Sequence, residues 1–206
     1  ADIGGGLFAW FAPSLRIEGC TFASNQAGFG SAAVVGYSHA DFLNCVIDSN
    51  VALTNGPAGI QYAVSTGTQT NCSYRFNSIR RGQGGAVAIT DTSDVVFNSC
   101  LFLGNEVTET EGDGGAVHIR WVSQCEFIDC HFAQNASMSN GGAIGAEDRC
   151  SVVVTNSSFV SNSSGYSGGA IVVADSSALA LSYCSFAFNH SARGAALALS
   201  PSGEFG

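Results

Sequence analysis

Gly84-Gly85-Ala86-Val87-Ala88-Ile89-Thr90-Asp91-Thr92-Ser93-Asp94-Val95-Val96-Phe97-Asn98-Ser99-Cys100-Leu101-Phe102-Leu103-Gly104-Asn105 contains three short runs of period two. Val87 and Ile89 alternate with Ala86 and Ala88, Val95 and Phe97 flank Val96, and Cys100 and Phe102 flank Leu101. Such alternation puts every second side chain on one face, the pattern of a strand with one buried side. Polar or glycine-bearing clusters separate the runs at Asp91-Thr92-Ser93, Asn98-Ser99 and Gly104-Asn105, where the chain is predicted to turn corners.

The same pattern returns on both sides. A small-small-small-aliphatic tetrad is clean at Gly84–Val87, Gly114–Val117, Gly141–Ile144 and Gly168–Ile171, with weaker copies ending at Leu7, Val34, Ile60 and Leu197. The aliphatic positions step by 27, 26, 27, 30, 27, 27 and 26. A second motif, Cys-x-aromatic-x-x-Asn, places Asn at 25, 50, 77, 105, 135, 162 and 189, stepping by 25, 27, 28, 30, 27 and 27. Two motifs that keep one period across the chain define a repeat of about 27 residues, rich in Gly and β-branched residues. This unit fits one coil of an all-β, single-stranded parallel solenoid, with about seven to eight coils and three short strands in each. Around Gln61–Asn71, Gly67 and Gln69 fall where core residues belong, so a bulge or outward loop is expected there.

Each repeated residue has a structural reading. The glycine pairs mark a tight corner that excludes a Cβ. Phe22, Phe102, Phe132, Phe159 and Phe186, with Ile47 and Tyr74 in the same slot, are expected to stack inside the coils. Asn25, Asn50, Asn77, Asn105, Asn135, Asn162 and Asn189 form an asparagine ladder, because an amide offers both donor and acceptor to its neighbours. Cys20, Cys45, Cys72, Cys100, Cys130 and Cys184 share one register, completed by Ser157, and read as a column of unpaired core thiols. Cys125 and Cys150 lie outside it and are the pair to consider if a disulfide exists.

Composition excludes several functions. Apolar residues make up 46% of the 206 and charged ones 11%, which is not a disordered chain. All seven basic residues are Arg, against 16 acids, giving a net charge of −9 and no basic face for a nucleic acid. No apolar run reaches the roughly 18 residues of a spanning helix, and no signal peptide opens the chain, so no transmembrane segment is expected here. The glycine pairs lack the Lys and the strand–loop–helix context of a phosphate cradle. No Cys-x-x-Cys occurs and the four His are scattered, so neither metal nor cofactor is expected. The acidic loop Glu106–Asp113 reads as a solvated loop, with weak Ca²⁺ binding as its functional alternative.

Alternation of Gly-Gly-Ala-aliphatic with Phe-x-x-Asn, at 22–25, 102–105, 132–135, 159–162 and 186–189, resembles the repeats of the chlamydial polymorphic outer membrane proteins. The resemblance runs over essentially the whole chain. It implies a right-handed parallel β-helix displayed at a cell surface and used in adhesion, in bacteria as a passenger preceding a membrane barrel. Residues 1–206 are then one solenoid segment of something longer, uncapped at both ends.

Parallel β-helices also host pectate lyases and polygalacturonases, whose chemistry needs clustered carboxylates on one face. Counting from the tetrad's aliphatic residue, His118 falls at +1, Arg120 and Glu147 at +3, and Asp91, Asp148 and Asp175 at +4. His118, Arg120, Glu147, Asp148 and Asp175 are therefore the candidate catalytic cluster, against a reading as a solvated edge in which Arg120 pairs with Glu147. The expected function is a non-enzymatic extracellular or cell-surface solenoid. It would meet protein or glycan partners, or neighbouring subunits through its ends; a polysaccharide-active enzyme is the alternative. Among the Asn-x-Ser sequons, Asn71 and Asn156 are expected to face solvent and take glycans.

Overall fold

In the computed structural model, which describes residues 3–54, 56–109 and 112–200, each repeat closes into one coil of a parallel solenoid. The reference coil carries strands Val87–Thr90, Asp94–Asn98 and Leu101–Leu103, as the alternation predicts. A fourth strand, Glu106–Val107, follows the ladder Asn; two residues are too few to show a period in sequence. Stacked coils make four parallel sheets of eight, seven, seven and six strands. Like residues pair across coils, as in Val87 with Val117 and Phe102 with Phe132.

Two sequence expectations change. Leu7 pairs with Ala33, and Ala33 with Ile60, so Ala33 and not Val34 occupies the aliphatic column. The glycine turn there is Gly30-Ser31-Ala32-Ala33, with Gly30 at φ +58° matching Gly84 at φ +74°. The expected bulge is absent: Thr66–Thr70 is a regular strand, with Gln69 paired to Phe42 on one side and Phe97 on the other. The two misfits answer one another. A Cβ on Gly67 would meet the Ala40 carbonyl and the Tyr62 ring, and that Tyr brings its hydroxyl to Gln69. Gln69 Nε2 donates to the Tyr62 hydroxyl, and the Tyr74 hydroxyl donates to Gln69 Oε1 at 2.7 Å, so a buried amide is satisfied inside an apolar core.

The tetrad's second glycine is required by close backbone approach. A Cβ on Gly115 would sit 2.2 Å from the Gly142 carbonyl oxygen. Three other corners of each coil are turned by residues in the left-handed conformation, for example Asp91, Ser99 and Gly104. Most are not glycine, and bulky Phe76, Trp121 and Tyr183 are among them.

Inside, Tyr74, Phe102, Phe132, Phe159 and Phe186 stack face to face with centroids 4.6–4.9 Å apart. Burial of each such ring contributes about 1.5–3 kcal/mol. Phe22 and Phe186, on the end coils, are only partly covered. The asparagines form a continuous chain in which each Nδ2 donates to the next Oδ1, as in Asn50 to Asn77 at 2.9 Å and Asn77 to Asn105 at 2.9 Å. All eight thiols are free. The Cys column donates to carbonyls instead, Cys72 Sγ to Phe42 O and Thr70 O at 3.4 Å each. Cys125 pairs in register with Val95 and Val152, facing the core. Cys150 occupies a different column, a serine ladder absent from the sequence reading. There Ser38 N donates to Ser65 Oγ, Ser65 N to Ser93 Oγ, Ser93 N to Ser123 Oγ, and Cys150 N to Ser177 Oγ.

Candidate functional site

The eight-stranded sheet positions the candidate cluster. Its outward column runs Phe8, Val34, Gln61, Ala88, His118, Gly145, Val172 and Ala198. Mid-rod this column is not solvated, because glycine turns fold back over it: a Cβ on Gly145 would lie 3.0 Å from Gly114 N and 3.1 Å from Asp113 Cβ. His118, expected on a solvated edge, is therefore fully buried.

Around it the cluster forms in part. Arg120 Nε lies 2.8 Å from Asp148 Oδ2 and 3.1 Å from Glu147 Oε1, so the expected Arg120–Glu147 pair exists and Asp148 joins it. The guanidinium also sits 4.9 Å from the centre of the Trp121 ring. His118 Nε2 is 3.3 Å from the same Glu147 oxygen. The neighbouring imidazole holds the Glu147 carboxyl below its ordinary range against the effect of burial, and the Arg120 charge adds to this. Asp175 stands apart: it takes a left-handed corner on the next coil, makes no ion pair among the described residues, and offers its carbonyl to Arg149 N at 2.9 Å.

Asp113 belongs to the cluster although the sequence reading left it out. Counting forward from the tetrad misses it, because it precedes Gly114-Gly115. Its Oδ1 accepts from Asn140 N at 3.0 Å and from Asn140 Nδ2 at 3.2 Å. One ligand atom each from Asp113, His118 and Glu147 falls within 4.8 Å of the others, a set that could hold a metal ion and that takes only Asp113 from the loop for which weak Ca²⁺ binding was the alternative. The rest of the acidic loop turns elsewhere. Glu109 pairs with Arg81 and Arg80, which hold its carboxyl below the ordinary range, and Glu106 accepts from Ser78 Oγ at 3.0 Å. Thr110 and Glu111 lie outside the described residues.

Beside the cluster runs a groove of about 390 Å³, whose lining includes Phe29, Gln61, Arg81, Thr90, Arg120 and Trp121. Among the described residues Asp91 is the one carboxylate in its wall; Asp113, Glu147 and Asp148 are not part of it. At the first coil, Phe8, Trp10, Phe11 and Tyr37 form an exposed aromatic group, Phe8 and Trp10 stacked 5.9 Å apart. Of the sequons, Asn71 and Asn156 are exposed at corners, Asn135 and Asn162 are fully buried, and Asn189 is half-buried on the last ladder step. Among the described residues no helix is long and apolar enough to cross a membrane.

Comparison with curated proteins and with solved structures gave no match. A family model described as a right handed beta helix region matches residues 5–186. With parallel four-sheet coils over the same residues, the chain belongs to the right handed beta helix family.

Proposed function

We propose that this solenoid is a non-enzymatic extracellular or cell-surface element, an adhesin passenger or a structural part of a surface assembly, as its resemblance to the chlamydial polymorphic outer membrane protein repeats implies. One observation carries the choice against a polysaccharide-active enzyme: the groove and the carboxylate cluster do not coincide. Glycoside hydrolysis places two carboxylates on either side of the scissile bond. Here, among the described residues, the groove wall holds Asp91 alone, while Glu147 and Asp148 are engaged by Arg120 beyond it. Partner binding uses other features of the same rod. The groove offers Trp121 and Arg120 to a glycan or a peptide, and the first described coil offers Phe8, Trp10, Phe11 and Tyr37 as an exposed aromatic group.

The test is to incubate the purified chain with acidic and neutral polysaccharides and to follow new reducing ends and unsaturated uronides. In parallel, beads coated with the chain are applied to arrays of surface glycans and glycoproteins. No cleavage together with saturable bead adherence is expected. Turnover that disappears in both Glu147→Gln and Asp148→Asn overturns the proposal in favour of the enzyme.

A further inference from the structure

Three parts of the fold converge on the Asp113–His118–Glu147 cluster. Asp113 comes from the turn before Gly114-Gly115, His118 from the middle of strand Val117–Ile119, and Glu147 from the residue after strand Ile144–Ala146 on the next coil. His118 is the informative member. It is fully buried, and neither ring nitrogen has a hydrogen-bond partner. Nε2 meets only the Glu147 carboxylate, outside hydrogen-bond geometry, and a buried polar group left without a hydrogen bond costs about 1–3 kcal/mol, so an imidazole held this way points to a missing occupant.

Geometry, space and charge agree on what that occupant is. A tetrahedral ion with bonds of about 2.0–2.1 Å brings its ligand atoms roughly 3.4 Å apart. His118 Nε2 and Glu147 Oε1 already stand 3.3 Å apart, without hydrogen-bond geometry between them. Gly145 keeps the space open: a Cβ there would come 3.1 Å from Asp113 Cβ and 3.3 Å from His118 Cδ2. Asp113, Glu147 and Asp148 set three negative charges against the single positive charge of Arg120, a balance of −2 that a divalent cation neutralises. The Asn140 donors on Asp113, and the ion pair of Arg120 with Glu147 Oε1, the oxygen that also faces His118, hold both carboxylates in place, as partners of metal ligands do.

We propose that Asp113, His118 and Glu147 bind one divalent transition-metal ion, with zinc the best fit to the donor set. One imidazole and two carboxylates suit a borderline ion that accepts nitrogen and oxygen at low coordination number. Calcium, which takes six to eight oxygens, fits this set poorly. The bound ion ties the turn of the longest coil to the coil above it.

The experiment strips the reduced, purified chain with a chelator and titrates it with Zn²⁺ by calorimetry, then repeats the titration with Co²⁺ and records the visible spectrum. One ion per chain is expected, with weak ligand-field bands and no thiolate-to-cobalt charge transfer, since the eight free thiols are the competing ligands. The melting temperature rises with Zn²⁺ and falls again with chelator. Asp113→Asn, Glu147→Gln and His118→Gln, each checked for folding by circular dichroism, weaken binding by at least about tenfold, while Asp91→Asn leaves it unchanged. If a ligand variant fails to fold, the carboxamide variants that do fold and the cobalt spectrum decide. No saturable binding, thiolate bands, or unchanged affinity in the folded ligand variants overturns the proposal.

Discussion

Asn105 and Asn135, on adjacent coils, share a bond between their side chains: Asn105 Nδ2 donates to Asn135 Oδ1 at 3.0 Å, and the same oxygen accepts the Asn105 backbone N–H at 3.0 Å. Asn135 Nδ2 in turn donates to Phe102 O at 3.0 Å and to Asn162 Oδ1 at 2.9 Å. One buried amide thus satisfies a backbone donor and a backbone acceptor that no sheet bond reaches.

Removing that amide leaves both backbone groups unpaired in a dry interior. Asn135→Ala is expected to lower the unfolding free energy by about 2–6 kcal/mol, two stranded groups at about 1–3 kcal/mol each. Denaturant titration measures it, and a loss well under 1 kcal/mol would mean that water reaches the ladder.

The same ladder sorts the glycosylation sequons. Asn71 and Asn156 stand exposed at corners just before the Cys column, whereas Asn135 and Asn162 are buried and Asn189 binds Phe159 O at 2.9 Å. Expressed through a eukaryotic secretory pathway, the chain is expected to carry sugar at Asn71 and Asn156 and none at the ladder positions. Glycopeptide mass spectrometry reads the occupancy. Full modification of Asn162 would contradict the observed facing of the coils.

Buried thiols make the fold sensitive to alkali. Burial pushes Cys45 and Cys125 above the ordinary thiol range and Cys150 up to about 11. A folded-state value raised above the unfolded 9.0 means the neutral thiol is favoured by folding, so that stability is fully present below pH 9 and is lost as pH rises toward 11. Thermal melts across that interval are expected to fall steadily, and alkylation of the six buried thiols at neutral pH to be slow until the chain unfolds, whereas Cys20, expected in the core but exposed on its end coil, and half-buried Cys184 react first. Cys150→Ser places a hydroxyl in the serine column, next to the backbone of Ser123, and is expected to keep neutral-pH stability while reducing the alkaline loss.

Gln69 tests a polar group inside the core. Gln69→Ala opens a cavity and strips a partner from two buried tyrosine hydroxyls, an expected loss of about 3–5 kcal/mol. The combined Tyr62→Phe, Gln69→Leu and Tyr74→Phe variant removes every member of the network and is expected to regain most of it. Equal losses in the single and triple variants would mean that packing, and not hydrogen bonding, sets the cost.

The coil was legible from sequence wherever a residue type recurred at full period: the four clean glycine tetrads, the Asn ladder, the Cys column and the stacked rings stand where their spacing put them, while the weaker tetrad copy at Val34 was one residue out of register. The serine ladder was not, because Ser is common throughout the chain and Cys150 interrupts the column. Gln69 was misread because a lone polar residue at a core position looks like a defect until Tyr62 and Tyr74 are seen around it. Half of the candidate site was legible for the same reason. Forward counting aligned Arg120, Glu147 and Asp148, but the burial of His118 and the arrival of Asp113 depend on a turn folding over the outside of a sheet, which no periodicity encodes. The missed signal was Gly145, a glycine in the slot that holds Val172 on the next coil and Ala88 two coils before.

The left-handed corners have a consequence for how such a rod changes over time. One corner column reads Phe11, Tyr37, Val64, Asp91, Trp121, Asp148 and Asp175, and another reads Gly19, Asn44, Asn71, Ser99, Asp129, Asn156 and Tyr183. The second column keeps to glycine and short polar residues at six of its seven positions, which suit the left-handed bend, whereas the first mixes aromatic, aliphatic and acidic residues, because the ladders beside it hold the bend. Bulky side chains there cost of order 1 kcal/mol in backbone conformation, which the ladders offset. Each corner of the first column therefore works as an interchangeable letter set at the spacing of the coils, about 4.8 Å. Mutation can rewrite what the surface displays, letter by letter, without touching the instructions that wind the chain.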